Sequence, residues 1–145
     1  MARGDVTVFD EAKAYMLDGG WGSNDIIKCA VLDNTATPTA AFATPALGDF
    51  TEVGDSGTYV LGGAVIGTIS VCVTEAAGTM TFDSAVNPTW AQNASNDVDA
   101  YWAIVYNFTD AGKDCLCFVD LGGPVDMSAG ALTVTWNASG LFTIT

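Results

Sequence analysis

Apolar and polar residues alternate along several short stretches of this chain. Residues 69–74 and 79–83 show the alternation on either side of Ala76-Ala77-Gly78, and residues 132–137 show it again. Because successive side chains of a β-strand point to opposite faces, this period of two predicts strands with one apolar face. The first two stretches are predicted to form a hairpin.

Other stretches are apolar at nearly every position. Residues 100–106 are apolar on both faces, which predicts a central strand in a sheet covered on both sides, with residues 115–121 beside it. Further strands are predicted over residues 6–9, 25–32, 58–61 and 141–145. Eight or nine short strands predict an all-β fold, a jelly-roll-type β-sandwich formed by residues 1–145 as a single domain.

One stretch has helical character. Residues 10–17 predict a short N-terminal helix, with Asp10 as its N-cap and Gly19-Gly20 as its end. A helix of two turns is marginal alone, so it must dock through Tyr15, Met16 or Trp21.

Two segments are predicted to contact other proteins. Residues 1–9 form a candidate N-terminal arm, and residues 34–55, rich in Thr, Ala, Pro and Gly, form a candidate long surface loop. An extended arm can add a strand to a neighbouring sheet through main-chain hydrogen bonds. The predicted interface residues are Val6, Val8, Phe9, Phe42, Leu47 and Phe50.

The large side chains divide into predicted core and predicted surface. The predicted core residues are Trp102, Ile104, Phe118, Val134 and Trp136. Trp90 follows Asn87-Pro88-Thr89 in a predicted loop and is the tryptophan expected to be exposed. An exposed indole beside polar loops can stack on a sugar, so Trp90 is the candidate carbohydrate contact.

Composition narrows the function. The 145 residues include no histidine and 4 Lys and Arg against 17 Asp and Glu, a formal net charge of −13. Without imidazole the commonest general base and metal ligand are missing, and few cations are available to hold phosphates. We find no paired catalytic carboxylates, phosphate loop or nucleophile motif. These features disfavour an enzyme and a nucleic-acid partner, and no cofactor is predicted.

Cysteines and acidic loops are the candidate metal ligands of this chain. Cys29, Cys72, Cys115 and Cys117 lie in apolar runs, which favours buried free thiols, although Cys115 and Cys117 would share one face of a strand. Residues 96–99, and Asp110 with Asp114, are the candidate calcium ligands. Neither set has the spacing of the twelve-residue calcium loop.

Two kinds of short motif have ordinary explanations. Arg3-Gly4-Asp5 matches the tripeptide that integrins bind, but three residues match often by chance. Three Asn-x-Ser/Thr sequences begin at Asn93, Asn107 and Asn137. Asn and Ser are favoured in turns, so we interpret these sequences as turns rather than glycosylation acceptors.

No apolar run reaches the ~18 residues of a membrane span, and no signal-peptide apolar region follows Met1, which predicts synthesis in a cytoplasm.

Several segments together resemble a family of small virion proteins of tailed bacteriophages, including phages of cyanobacteria. The resembling segments are Val6-Thr7-Val8-Phe9, residues 25–32, Tyr59-Val60-Leu61-Gly62-Gly63, Met80-Thr81-Phe82-Asp83 followed by Trp90, Ala103-Ile104-Val105-Tyr106-Asn107, Phe118-Val119-Asp120-Leu121-Gly122-Gly123 and Leu132-Thr133-Val134-Thr135-Trp136.

The resemblance implies a non-enzymatic structural protein that cements or decorates the capsid on a jelly-roll scaffold. Its expected partners are the lattice of the major capsid protein and further copies of itself, as a dimer or trimer. An acidic domain suits the outer capsid surface, away from packaged DNA and without a membrane partner. The alternatives are a carbohydrate- or receptor-binding module of a tail or head fibre and, from another class, a small hydrolase.

Overall fold

The computed structural model describes residues 2–18 and 20–145, and it shows an all-β protein. In the described part of the chain, ten strands and two short helices follow one another. In chain order they are β1 (Val6–Val8), α1 (Ala12–Leu17), β2 (Ile26–Leu32), β3 (Ala64–Thr68), α2 (Ile69–Cys72), β4 (Val73–Ala76), β5 (Thr79–Phe82), β6 (Thr89–Trp90), β7 (Ala100–Asn107), β8 (Cys115–Val125), β9 (Leu132–Thr133) and β10 (Phe142–Ile144).

The largest sheet has five antiparallel strands in the order β1-β8-β7-β2-β3. Strand β7 lies at its centre, paired with β2 from Ile27↔Asn107 onward and with β8 on its other side. The burial of β7 on both faces explains its continuous apolar sequence. The predicted central strand and its neighbour are therefore confirmed.

Two smaller sheets complete the fold. Strands β10, β5 and β4 form a three-stranded antiparallel sheet, and β6 pairs with β9. This topology confirms the all-β class, whereas a jelly roll of two four-stranded sheets does not follow from these strand orders. No helix in the described residues is long and apolar enough to cross a membrane.

The buried apolar side chains form one cluster around the five-stranded sheet. Phe118 lies at its centre, with its ring centroid 5.0 Å from that of Phe9 and 6.1 Å from that of Trp102. Ile104, Phe118 and Val134 are buried, as predicted. Trp102 and Trp136 are only half-buried, so for these two the prediction was wrong in degree.

Three predicted strand segments differ in the structure because their main-chain N–H groups bind elsewhere. Residues 69–72 form one helical turn, since the N–H groups of Ile69 and Ser70 donate to the carbonyls of Asp25 and Ser23, which lie before β2. Residues 58–61 are not a strand, since the Thr58 N–H donates to the Asn96 side chain and a turn follows in which the Gly63 N–H donates to the Val60 carbonyl. Strand β9 ends at Thr133, because its continuation faces Pro88, which has no N–H to donate.

The N-terminal helix is present but its predicted cap is wrong. Helix α1 begins after Glu11, which has helical backbone angles and no side-chain capping bond. Asp10 instead donates its N–H to the Ala40 carbonyl, which holds it outside the helix. Of the predicted glycine end, Gly19 lies outside the described residues, and Asp18 is the C-cap.

The two segments predicted as protein contacts are built into the fold. Strand β1 of the N-terminal arm pairs with β8, from Val6↔Val119 to Val8↔Cys117. Residues 34–55 run along the sheet, with isolated bridges Leu32↔Glu52 and Ala46↔Asp114 and a 3-10 turn at Leu47–Asp49. Neither segment is a free extension.

Candidate interaction surfaces

The predicted interface residues lie in or against the core. Phe9 is fully buried, and Leu47 and Phe50 are buried. Val6, Val8 and Phe42 are half-buried and pack on the core. Aromatic packing explains this placement, since the ring centroid of Phe50 lies 6.2 Å from that of Phe9 and 5.1 Å from that of Phe42. These side chains hold the two segments onto the sheet and offer little area to a partner.

The candidate carbohydrate contact is also an interior residue. Trp90 lies on β6 with 5% of its surface exposed, and its ring packs on Tyr59 at a centroid distance of 5.8 Å. The prediction of an exposed indole was wrong because Asn87-Pro88-Thr89 leads into a strand pair, not a loop tip. A ring in this position has no free face on which a sugar can stack.

The Asn-x-Ser/Thr sequences are turns, as interpreted from the sequence. In each, the side-chain oxygen of Asn93, Asn107 or Asn137 accepts the main-chain N–H two residues ahead. This Asx turn is the local structure that favours Asn there. Asn107 is also fully buried, and its amide donates to Asp25. Its side chain is therefore an internal clamp and cannot carry a glycan in the folded protein.

Several aspartates serve turns in the same way. Asp33, Asp110 and Asp120 each accept the N–H two residues ahead, and Asp126 accepts those of Ser128 and Ala129, two and three residues ahead. Among the described residues no group of three or more Cys, Asp or Glu side chains is arranged to hold a metal ion. Turn chemistry thus accounts for much of the acidic composition.

The candidate calcium ligands have opposite electrostatic environments, which a pH titration can detect. The N–H of Gly54, and those of Val98 and Asp99, donate to Asp97 and hold the pKa of its carboxyl below the ordinary 3.8. Burial, together with the nearby charges of Asp110 and Asp18, raises the pKa of Asp114. Ionisation of Asp97 is favoured by folding, and ionisation of Asp114 is disfavoured.

We expect Asp97→Asn to be less stable than the wild type at neutral pH. The stabilisation by ionised Asp97 is fully present above pH 3.8 and is lost as the pH falls through its lower folded-state pKa, so the difference between the two proteins should shrink there. Asp114→Asn is the matched control and should be more stable than the wild type at neutral pH. Urea midpoints between pH 2.5 and 7 measure both. A pH-independent deficit for Asp97→Asn would contradict this account.

The four cysteines are buried free thiols, as expected from their apolar surroundings. Burial raises the pKa of the Cys29 and Cys117 thiols, and burial with nearby carboxylates raises that of Cys115. The reactive thiolate is therefore disfavoured in the folded state.

Thiol counting with a disulfide reagent tests this arrangement. We expect almost no reaction in the native protein, and four reactive groups after denaturation without reductant. Rapid reaction of the native protein would show that a cysteine is accessible. Fewer than four groups in denaturant would show a disulfide.

Three exposed aliphatic residues lie at one edge of the large sheet. We call them the β3-edge patch. Its residues are Val60, Leu61 and Val65, which are 65%, 54% and 52% exposed. Val65 is on β3, the outermost strand, and the other two are in the turn that precedes it. In the sequence, Val60-Leu61 followed by Gly62-Gly63 indicates this turn. The prediction of a strand over residues 58–61 therefore missed the exposure of these two side chains.

Buried polar groups fix the turn that carries the patch. The Glu52 carboxylate accepts the Tyr59 hydroxyl at 2.5 Å and the Gly62 N–H at 2.7 Å, and Tyr106 donates to the Gly62 carbonyl at 2.7 Å. Burial and the Glu52 bond raise the pKa of Tyr59, which keeps its hydroxyl protonated as a donor. The patch is presented on a rigid backbone.

Two of the four basic residues, Lys28 and Lys113, contact the same aromatic ring near the β3-edge patch. Lys28 pairs with Val65 across β2 and β3, and its Nζ lies 3.9 Å from the ring centroid of Phe108. Lys113 Nζ lies 4.4 Å from the same centroid. Although the net charge of the protein is −13, two lysines therefore pack on the Phe108 ring near the edge strand β3.

A second apolar surface lies between α1 and the three-stranded sheet. This apolar groove has a volume of about 520 Å³. Its lining includes Lys13, Met16, Leu17, Trp21, Ile69, Val73, Glu75, Met80 and Ile144. Positions 13, 16 and 17 share one face of α1, and the opposite wall is a cross-strand row, Glu75↔Met80↔Ile144. The Trp21 indole N–H beside it finds no acceptor among the described residues.

Comparison with known proteins adds no assignment. No protein-family model, no curated protein and no solved structure matches this chain.

Proposed function

We propose that this chain is a non-enzymatic structural protein of a tailed-bacteriophage virion, which cements or decorates the assembled head. The observation that carries the proposal is the β3-edge patch: three exposed aliphatic side chains on a fixed backbone at the outer strand of a strongly acidic protein. Exposed aliphatic clusters bordered by polar residues are typical of protein contact sites. The sequence resemblance supplies the class of partner, the lattice of the major capsid protein.

The charge distribution supports a position on the outer capsid surface. A net charge of −13 opposes contact with packaged DNA, and the four cations are too few to reverse that repulsion. An apolar contact assisted by Lys28 and Lys113 suits a protein surface with apolar and acidic groups. A shell offers many copies of such a surface, so a modest contact becomes durable through avidity.

The alternative of a fibre module that binds carbohydrate is not favoured by any described residue. It depended on an exposed Trp90, and that ring is buried against Tyr59.

A rebinding assay on shells that lack the protein tests the proposed contact. Leu61→Lys places a charge in the β3-edge patch without disturbing the core, because the side chain is exposed. We expect its affinity for shells to fall about tenfold or more, as for a central interface residue. Val98→Lys is the control. It adds the same charge at a valine outside the patch that is 47% exposed, and it should bind like the wild type. Equal binding by both variants would refute the patch as the contact.

A further inference from the structure

We propose that the apolar groove between α1 and the three-stranded sheet is the contact surface of a symmetric homodimer. This inference concerns a different surface from the β3-edge patch and does not rest on the proposed function. The groove combines a helix face with a row of side chains from three strands, and Leu17 at its rim is 85% exposed. An aliphatic side chain this exposed gains most from a partner that covers it.

The charges in the groove favour a second copy as the occupant. Lys13 lies on the α1 wall and Glu75 on the sheet wall, and both line the groove. Lys13 has no hydrogen bond or ion pair with another described residue. One oxygen of Glu75 accepts the Gly78 N–H, and the other oxygen has no partner among the described residues.

A two-fold axis makes these charges complementary. In a dimer whose two-fold axis runs along the groove, each wall faces the opposite wall of the second subunit. Lys13 then lies opposite Glu75 of the partner subunit, and the pairing occurs twice. The apolar residues between them, Met16, Leu17 and Met80, meet their counterparts across the axis.

The net charge limits where two copies can meet. Each chain carries −13, so most of the surface repels a second copy. Among the described residues that line the groove, the charged side chains are Lys13 and Glu75, and their charges are opposite. The side chains of the groove therefore carry no net charge, and most of them are apolar. Since salt screens the long-range repulsion between the subunits, the dimer should become tighter as ionic strength rises.

Sedimentation equilibrium of the free protein, without capsids, tests this inference. We expect a monomer–dimer equilibrium for the wild type. Leu17→Asp should raise the dissociation constant about tenfold or more, and its exposed position keeps the fold intact. Val98→Asp adds the same charge at an exposed valine that lies outside both the groove and the β3-edge patch, and it should leave the equilibrium unchanged.

A charge exchange gives the sharper result. Lys13→Glu and Glu75→Lys should each weaken the dimer, by about fivefold to tenfold, because each change creates two like-charge contacts. The double variant should recover the wild-type dissociation constant within about threefold, since each pair is restored in reverse. Circular dichroism confirms that each variant is folded.

Three results would overturn the inference. The first is a monomer at every concentration and salt level. The second is a dimer that Leu17→Asp and Val98→Asp weaken equally. The third is a double charge variant no tighter than the single variants. A monomer whose groove instead binds a fatty acid, with loss of binding in Lys13→Glu, would assign the groove to a small amphiphile. Loss of capsid binding with an intact dimer would refute only the proposed function.

Discussion

Gly63→Ala is expected to be the most destabilising single substitution in this protein. Gly63 has φ of 64°, and a Cβ there would lie 1.9 Å from the Cys29 carbonyl oxygen and 2.6 Å from the Ala30 Cα. Both neighbours are backbone atoms of β2, so the clash cannot be relieved by moving a side chain. We expect a loss of more than about 4 kcal/mol in the free energy of unfolding, or failure to fold.

Two other glycines separate the causes of that loss. Gly78→Ala has φ of 82° with no atom near its added Cβ, so it should show backbone strain alone, about 1–2 kcal/mol. Gly48→Ala has neither feature and should change stability by less than about 1 kcal/mol. Urea denaturation measures all three. If Gly63→Ala behaves like Gly78→Ala, the turn that carries the β3-edge patch is not packed on β2.

Phe118→Ala is expected to cost about 3–5 kcal/mol of unfolding free energy, as for other buried phenylalanines. Phe118 is fully buried, and it connects the N-terminal strand, through Phe9, to Trp102 on β7. Phe108→Ala is the control, since its ring is 37% exposed, and it should cost much less. A similar urea midpoint for both variants would place Phe118 outside the core.

The centre of the fold was predictable from the sequence because its strands are buried on both faces. Continuous apolar runs identified β2, β7 and β8, and the chain order placed β8 beside β7. The Asx turns at the three Asn-x-Ser/Thr sequences were also predictable, since the residue types encode the local hydrogen bond.

The periphery was not predictable because distant residues decide it. The alternation in residues 69–73 fits a strand, but the N–H groups of Ile69 and Ser70 bind carbonyls of Asp25 and Ser23. Residues 34–55 have the composition of a loop, yet Phe50 and its neighbours pack under the sheet. Alternation of apolar and polar residues indicates that one face of a segment is buried. It does not identify the acceptor to which each main-chain N–H donates.

The candidate contact surfaces were missed for a related reason. Large apolar side chains were assigned to the interface in segments that turned out to hold the core, such as Phe9 and Phe50. The exposed aliphatic residues Val60, Leu61 and Leu17 are ordinary core types whose exposure depends on tertiary structure. Sequence alone cannot separate these two groups.

The division of surfaces has a functional consequence. If the groove joins two copies, each dimer presents two β3-edge patches to a shell. Two linked contacts raise the effective concentration of the second contact after the first has formed. An apolar contact of this kind should also resist moderate salt better than one made by charges.

We propose that this protein binds an assembled capsid and stabilises it. The most direct measurement compares the survival of particles assembled with and without the protein after heat or osmotic shock. We predict that particles with the protein survive a harsher challenge, and that purified protein added to bare particles restores their survival. Equal survival of both kinds of particle, or failure of the protein to rebind bare shells, would contradict the account.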